Sequence, residues 1–247
     1  MKRSGLGMRC FVDGRNLSGD VGALNRIAGG PAALDVTGID KEGYERVGGL
    51  RDGGIDWTGW FNDATDQAHP VLSTLPTTDR VVSVLIGTTL GDPGASVVAK
   101  QINYDPNRGQ DGQLTTTVQA TANAYGLEWG RALTAGIRTE SAATNGSSVD
   151  FGTGSTAFGL QAYIHVFALT SGSPTVKLQE SSDDGAGDAF ADVTGGSFGV
   201  VAAQTSARIA TSASQTIERY LRVVTTGTFA GLQFAVIVTR NDTATAF

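Results

Sequence analysis

Cysteine occurs once in these 247 residues, at Cys10, so no disulfide can form within the chain. Stability has to come from packing, strand pairing and subunit contacts. Histidine is nearly as rare: His69 and His165 are the only two, which leaves little material for metal centres or for proton transfer near neutral pH. Charged residues make up only 17% and proline only 6 positions, against 34 glycines and abundant Thr, Ser, Val and Ala. That balance excludes a helical bundle and suits many short strands joined by tight turns. No window approaches the eighteen consecutive apolar residues of a membrane helix, so no membrane insertion is expected. No apolar stretch follows the basic start Met1-Lys2-Arg3, so a signal peptide is not expected either.

The hydrophobic share, 40%, is too high for a disordered chain, and the length permits one large or two small β domains. The net charge of −6 is spread evenly: residues 1–131 hold 12 Lys/Arg and 15 Asp/Glu, and residues 132–247 hold 6 and 9. Scattered cations with a negative surplus speak against tight phosphate binding. They do not exclude nucleic acid passing nearby.

Short apolar or alternating runs between turn signals read as strands: Phe11-Val12, Leu34 to Ile39, Ile55 to Trp60, Val81 to Ile86, Val97 to Ile102 and Leu114 to Ala120. In the last, Leu114, Thr116, Val118 and Ala120 share one face and Thr115, Thr117, Gln119 and Thr121 the other. A short helix is expected within Asp63 to Leu75, capped by Asp66, with Ala68, Val71, Leu72 and Leu75 on its buried face and Pro76 ending it. A Gly/Ser/Thr/Asn-rich stretch reads as a linker. The division implied is 1–132, a linker 133–148, and a second β unit 149–247. In that unit Phe158 to Leu169, Thr175 to Glu180, Ile217 to Thr225 and Leu232 to Arg240 are strand-like, and a β-sandwich is the natural outcome.

No constellation of enzyme chemistry stands out, so no catalytic residue, metal ligand or cofactor is assigned. His69, beside Pro70, and His165, between Ile164 and Val166, read as structural. Asp183, Asp184, Asp188 and Asp192 offer hard oxygens but lack calcium-loop spacing and read as a solvated hairpin. Gly48-Gly49 and Gly53-Gly54 read as loop punctuation. The segment from Gly38 to Gly54 packs Asp40, Lys41, Glu42, Tyr44, Glu45, Arg46, Arg51 and Asp52 between two strand signals, and a loop of that length is usually functional or disordered.

Several pieces in a fixed order carry a resemblance: Phe11-Val12-Asp13-Gly14-Arg15-Asn16-Leu17-Ser18-Gly19-Asp20, Leu34-Asp35-Val36-Thr37, Gly49-Leu50-Arg51-Asp52-Gly53-Gly54, Trp57-Thr58-Gly59-Trp60-Phe61-Asn62-Asp63, His69-Pro70-Val71-Leu72, and Ala99-Lys100-Gln101-Ile102-Asn103-Tyr104-Asp105-Pro106 with Asp111-Gly112. Together, over roughly Arg9 to Arg131, the chain resembles the tail-tube (major tail) proteins of long-tailed, siphovirus-like bacteriophages. The resemblance implies an N-terminal tail-tube β-sandwich or barrel domain with one short helix. It also implies self-assembly into rings, hexameric by preference, that stack into a tube conducting DNA and a length-measuring protein without binding them tightly. Such a protein sits in the virion tail and assembles in the bacterial cytoplasm. By the same resemblance the eight residues Asp40 to Asp52 named above belong to a loop bridging adjacent rings. Val176 to Gly185, Phe190 to Val193 and Arg219 to Val224 look like small β-sandwich modules of phage virions. The alternatives are a trimeric ring with two tube-like domains per chain, and a host-surface or glycan-binding module.

Overall fold

The computed structural model describes residues 2–75, 78–152 and 154–244 and is mainly β with one short helix. The chain opens with β1 (Arg9–Val12) and β2 (Arg15–Asn16), joined by Asp13-Gly14. Both turn residues have positive φ, 46° and 73°, as a two-residue hairpin turn of the right twist requires. Gly14 has a second reason to be glycine: a Cβ there would lie 2.6 Å from the Thr205 carbonyl oxygen and 2.7 Å from that of Val166.

Two long strands follow, β3 (Val21–Asp35) and β4 (Arg46–Trp60), then α1 (Ala68–Leu72), β5 (Arg80–Leu85), β6 (Pro93–Arg108) and β7 (Leu114–Ala132). The second half contributes β8 (Arg138–Glu140), β9 (Val149–Asp150), β10 (Leu160–Ala168), β11 (Ser171–Gly172), β12 (Thr175–Ser181), β13 (Ala191–Val200), β14 (Thr205–Ala210), β15 (Tyr220–Thr226), β16 (Phe229–Ala230) and β17 (Leu232–Arg240). The helix is shorter than the sequence implies, and its cap differs. Asp66 has φ 61° and takes the Arg15 guanidinium instead, while the Ala68 N–H donates to Oδ2 of buried Asp20 at 2.9 Å. Leu75 is exposed rather than on the buried face, and Pro76 lies outside the described residues.

One sheet crosses both halves in the order β14-β10-β17-β7-β6-β5-β1-β2. Strand β7 makes the junction: β4 is bonded along Thr115–Thr121, and β17 takes over at Arg131–Ala132. A second sheet, β13-β12-β15-β9, faces β10 and β17 across a core that includes Ile164, Leu178, Leu221, Val223 and Phe234. That is the β-sandwich. A separate core in the first half gathers Val12, Ile55, Trp57, Leu72, Val82, Val97 and Val118 beneath α1. The segment 133–148 is packed structure: Leu133 is fully buried, β8 pairs with β17, and the Gly146 N–H bonds the Val223 carbonyl. Leu133 and Ile137 supply apolar anchors among its small polar residues.

The two halves also share a third core. Strands β5 and β10 are buried on both faces, and their inner faces meet, with Phe11, Leu85, Ala132 and Ile237 in one cluster and Val81, Val98 and Tyr163 in another. Its polar members Tyr163, Glu128, Arg208, His165 and Ser83 are bonded to one another in two groups. The Tyr163 hydroxyl donates to Glu128 Oε2 at 2.5 Å, and Arg208 reaches Glu128 Oε1 at 3.0 Å while stacking on Tyr125 at 3.9 Å. His165 Nε2 lies 2.9 Å from Ser83 Oγ, and its Nδ1 accepts the Gly14 N–H. Burial pushes the His165 imidazole down to about 3, so it is neutral. A buried charge left without its partner is costly. Arg208→Met, which strands Glu128, is expected to lower stability by about 3 kcal/mol in urea titration while leaving one transition for the whole chain. Two separated transitions in the native protein would contradict the shared core.

Candidate assembly interface

The β3/β4 pair is an arm. It is paired from Val21↔Gly59 to Asp35↔Arg46 with three register shifts along the way, yet only Gly54–Trp60 of β4 is held by β7. The remaining Arg46–Gly53 and its β3 partners form a two-stranded ribbon about 25 Å long, at the usual rise per residue. Three of the eight predicted loop residues are therefore strand residues: Arg46, Arg51 and Asp52 lie in β4. Gly48-Gly49 and Gly53-Gly54 are likewise extended strand rather than loop punctuation. Glycine is needed where the ribbon crosses β7, because a Cβ on Gly53 would sit 2.6 Å from Leu127 Cβ and 2.8 Å from its backbone nitrogen.

The turn spans 36–45 and contains Asp40, Lys41, Glu42, Tyr44 and Glu45, all exposed. It is locally stapled: the Thr37 hydroxyl donates to Asp35 at 2.6 Å and accepts the Glu45 N–H at 2.8 Å. Those Thr37 hydrogen bonds hold the Asp35 carboxyl below its usual range. Lys41 pairs with Glu45 at 3.5 Å, and the Arg46 guanidinium lies 4.8 Å from the Tyr44 ring centre. Around these charges stands an apolar set that a reading centred on charge passes over: Leu34, Val36, Ile39, Tyr44, Val47 and Leu50. Ile39 is 110% exposed and Leu50 89%, and nothing in the subunit covers them. Apolar side chains clustered at the end of a projecting ribbon mark a contact surface.

Strands β3-β4-β7-β6 form one antiparallel series with two unfinished edges. β3 pairs with β4 alone, and β5 reaches along β6 only to Ala99, so Lys100–Arg108 pairs with β7 alone. Successive strands reverse direction, so these outer strands run oppositely. One face of the series is polar, with Asp56 and Thr58 on β4, Thr117 and Gln119 on β7 and Asn103 and Asp105 on β6. Cross-strand neighbours pair Asp56 with Gln119, Thr58 with Thr117, and Asn103 with Gln119. Val118, Ala120, Ile55 and Trp57 occupy the buried face, as the alternation in β7 requires, with Leu114 half-exposed at its end. The ends of the series differ too: the arm turn lies at the start of β4, while the β6/β7 turn adjoins its far end at Trp60↔Thr115.

The remaining candidates are structural. Cys10 is buried and its thiol is pushed up to about 12 by that burial. His69 Nδ1 lies 3.1 Å from the Tyr104 hydroxyl, against Phe61. Asp183 spends its oxygens on the N–H groups of Ala186, Gly187 and Asp188, and Asp192 takes Lys177 and Gln179. Among the described residues no group of three or more His, Cys, Asp or Glu could hold a metal, and no helix is long and apolar enough to cross a membrane.

No family model and no curated protein matches the sequence. Among solved structures, the chain is similar to one from the virion of a native gene transfer agent particle, at 17% identity and TM-score 0.43, over 52% of this chain and 98% of that one. It is also similar to one from the tail of an empty gene transfer agent particle with C6 symmetry, at 17% identity and TM-score 0.36, over 42% and 78%. A third is the SPP1 Dit protein, of a hub adsorption apparatus in phages infecting Gram-positive hosts, at 11% identity and TM-score 0.32, over 94% and 98%.

One titration follows from the acidic hairpin. Burial, then the hydrogen bond and charge of Asp188, raise the Glu218 carboxyl from 4.5 to about 6. Between those values the folded chain holds a proton that the unfolded chain releases, so this contribution is present at acid pH and lost as pH rises through about 6. Glu218→Gln is expected to remove that decline, seen as a smaller fall in urea midpoint between pH 4.5 and 7 than in the native protein. Equal declines would contradict the assignment.

Proposed function

We propose that this protein is a tail-tube subunit of a long-tailed bacteriophage, a structural protein that polymerises into stacked rings through which DNA leaves the virion. The single observation that carries the reading is the series β3-β4-β7-β6, with two oppositely directed free edges and an arm at one end. Copies related by rotation keep their strand directions, so β3 of one copy meets Lys100–Arg108 of the next in antiparallel register. Each contact consumes two exposed edges that would otherwise template uncontrolled association. Head-to-tail contacts of this kind close a ring when the rotation closes.

The polar face then lines the lumen. Its cations are few and paired, with Arg26 at 3.6 Å from Asp56 and Lys100 at 2.9 Å from Asp79, so it offers passing DNA no array of cations to grip. The length-measuring protein occupies the same channel during assembly. The arm tip joins one ring to the next, burying Ile39, Tyr44 and Leu50 while Asp40, Lys41, Glu42, Glu45 and Arg46 set register. One such series per chain supports a hexameric ring over a trimer that would need two, and the β-sandwich of 149–247 decorates the outside. The order of tail-tube-like segments from Arg9 to Arg131 supports the same reading. Assembly takes place in the host cytoplasm and the product resides in the virion tail.

Replacing residues 34–47 with an Asn-Gly turn keeps the hairpin root and both edges. Negative-stain microscopy is expected to reveal hollow tubes with a regular axial repeat from the native protein on concentration, and separate rings from the shortened-arm variant. Tubes of unchanged length from the variant would rule out the arm as the stacking element.

A further inference from the structure

The two free edges of the four-strand series carry opposite charges. β3 holds two charged residues, Arg26 and Asp35, and Asp35 lies at the arm turn, so Arg26 is the one charge on the part of β3 that stays with the series. The free length of β6 holds three, Lys100, Asp105 and Arg108. Lys100 is paired with Asp79 at 2.9 Å. Arg108 stands opposite Leu114 and so shares the face of Thr116 and Val118. Asp105 stands opposite Thr117 and is exposed on the polar face. Arg26 is on that face too, opposite Asp56, which faces Gln119 and through it Asn103. Asn103 and Asp105 are successive residues of one face, about 7 Å apart along the strand, a step that an arginine side chain can span. Within the subunit neither charge is well used. The Arg26 side chain is 50% exposed and lies 3.6 Å from Asp56, and Asp105 accepts a hydrogen bond from the Asn103 amide at 2.7 Å.

We propose that Arg26 and Asp105 select which edges join, a proposal that rests on the tail-tube reading above: across each junction, Arg26 of one copy pairs with Asp105 of the next. A free antiparallel edge can also pair with its own kind about a two-fold axis, and that contact closes a dimer instead of continuing around a ring. For β6, full overlap of residues 100–108 with a second copy sets Asp105 opposite Asn103 and leaves the two Asp105 carboxylates diagonal to one another on one face, within side-chain reach. Pairing of β3 with itself likewise brings two Arg26 side chains to one face of one junction. Both like pairings are repulsive, and only β3 against β6 sets a cation beside an anion. An ion pair this exposed adds little affinity. Its effect is on the choice of partner, by opposing the wrong pairing as much as by favouring the right one.

The test follows assembly of the full-length protein by sedimentation at low ionic strength. Arg26→Asp and Asp105→Arg each place like charges at every junction, and each is expected to raise the concentration at which assemblies form about tenfold, a difference that shrinks as salt is added. Asp105→Asn removes the attraction without adding repulsion and is expected to shift that concentration much less. An equal mixture of Arg26→Asp and Asp105→Arg is expected to assemble close to the native concentration, because each variant meets an oppositely charged edge on the other. Both positions are exposed, so the native thermal transition is expected in each variant. If Arg26→Asp, which adds a carboxylate beside Asp56, does not keep it, Asp105→Arg against Asp105→Asn carries the comparison, with recovery of Asp105→Arg in salt. Variants that assemble as the native protein does, or a mixture of folded variants that recovers nothing, overturn the proposal and leave the tail-tube reading standing. A native protein that forms no rings at any concentration overturns both.

Discussion

Everything in this fold hangs on β7 serving two different sets of strands along its length. Over Thr115–Thr121 it lies between β6 and β4, and by Arg131 it lies between β6 and β17. The exchange takes place at a bulge: Ala99 faces Ala122 and Val97 faces Leu127, with Ala124 and Gly126 at φ 71° and 62° in between. A bulge of this kind sharpens twist and re-aims the strand. Past it, the arm can no longer follow β7 and leaves over Leu127, which is why Gly53 and Gly29 bear no side chain there. The freed edge is taken by β17, and the second half is attached.

The interior that this junction creates is polar as well as apolar. Glu128, Tyr163 and Arg208 bring β7, β10 and β14 together, and Ser96, Ser83 and His165 join β10 to β5 and β6. Such networks add little net energy when complete and cost much when broken. Their effect is to fix how β10 and β14 lie over β5 and β6, so that the sandwich is carried rigidly by the sheet with the free edges. The Asp13-Gly14 turn closes the arrangement, with Ser206 on Asp13 and Gln204 on the Gly14 carbonyl.

Strands with one wet and one dry face are legible in the sequence. β7 announces itself through Thr116, Val118 and Ala120, β10 and β17 through near-continuous apolar runs, and Asp13-Gly14 through turn chemistry. The outer half of the arm carries no such mark, because both faces of Arg46–Gly53 are open and its glycines are there for clearance. β14 is hidden for a related reason: it is a partly exposed edge whose Arg208 faces inward to a carboxylate distant in sequence. The helix cap escaped because Asp20 supplies it from 48 positions away. Of the candidate interface, the charged turn from Asp40 to Glu45 is plain in the sequence. The apolar collar around it and the free lengths of β3 and β6 emerge only with the pairing register.

The candidate interface consists of two strand edges and one tip, and those three places lie on the same four strands. Hydrogen exchange, followed by mass spectrometry in dilute protein and in concentrated assemblies, tests that directly. Assembly is predicted to slow exchange in Val21–Asp35, in Lys100–Arg108 and in the turn 36–45, and to leave β10 and β17 unchanged. Equal protection of those three segments in both states would contradict the account.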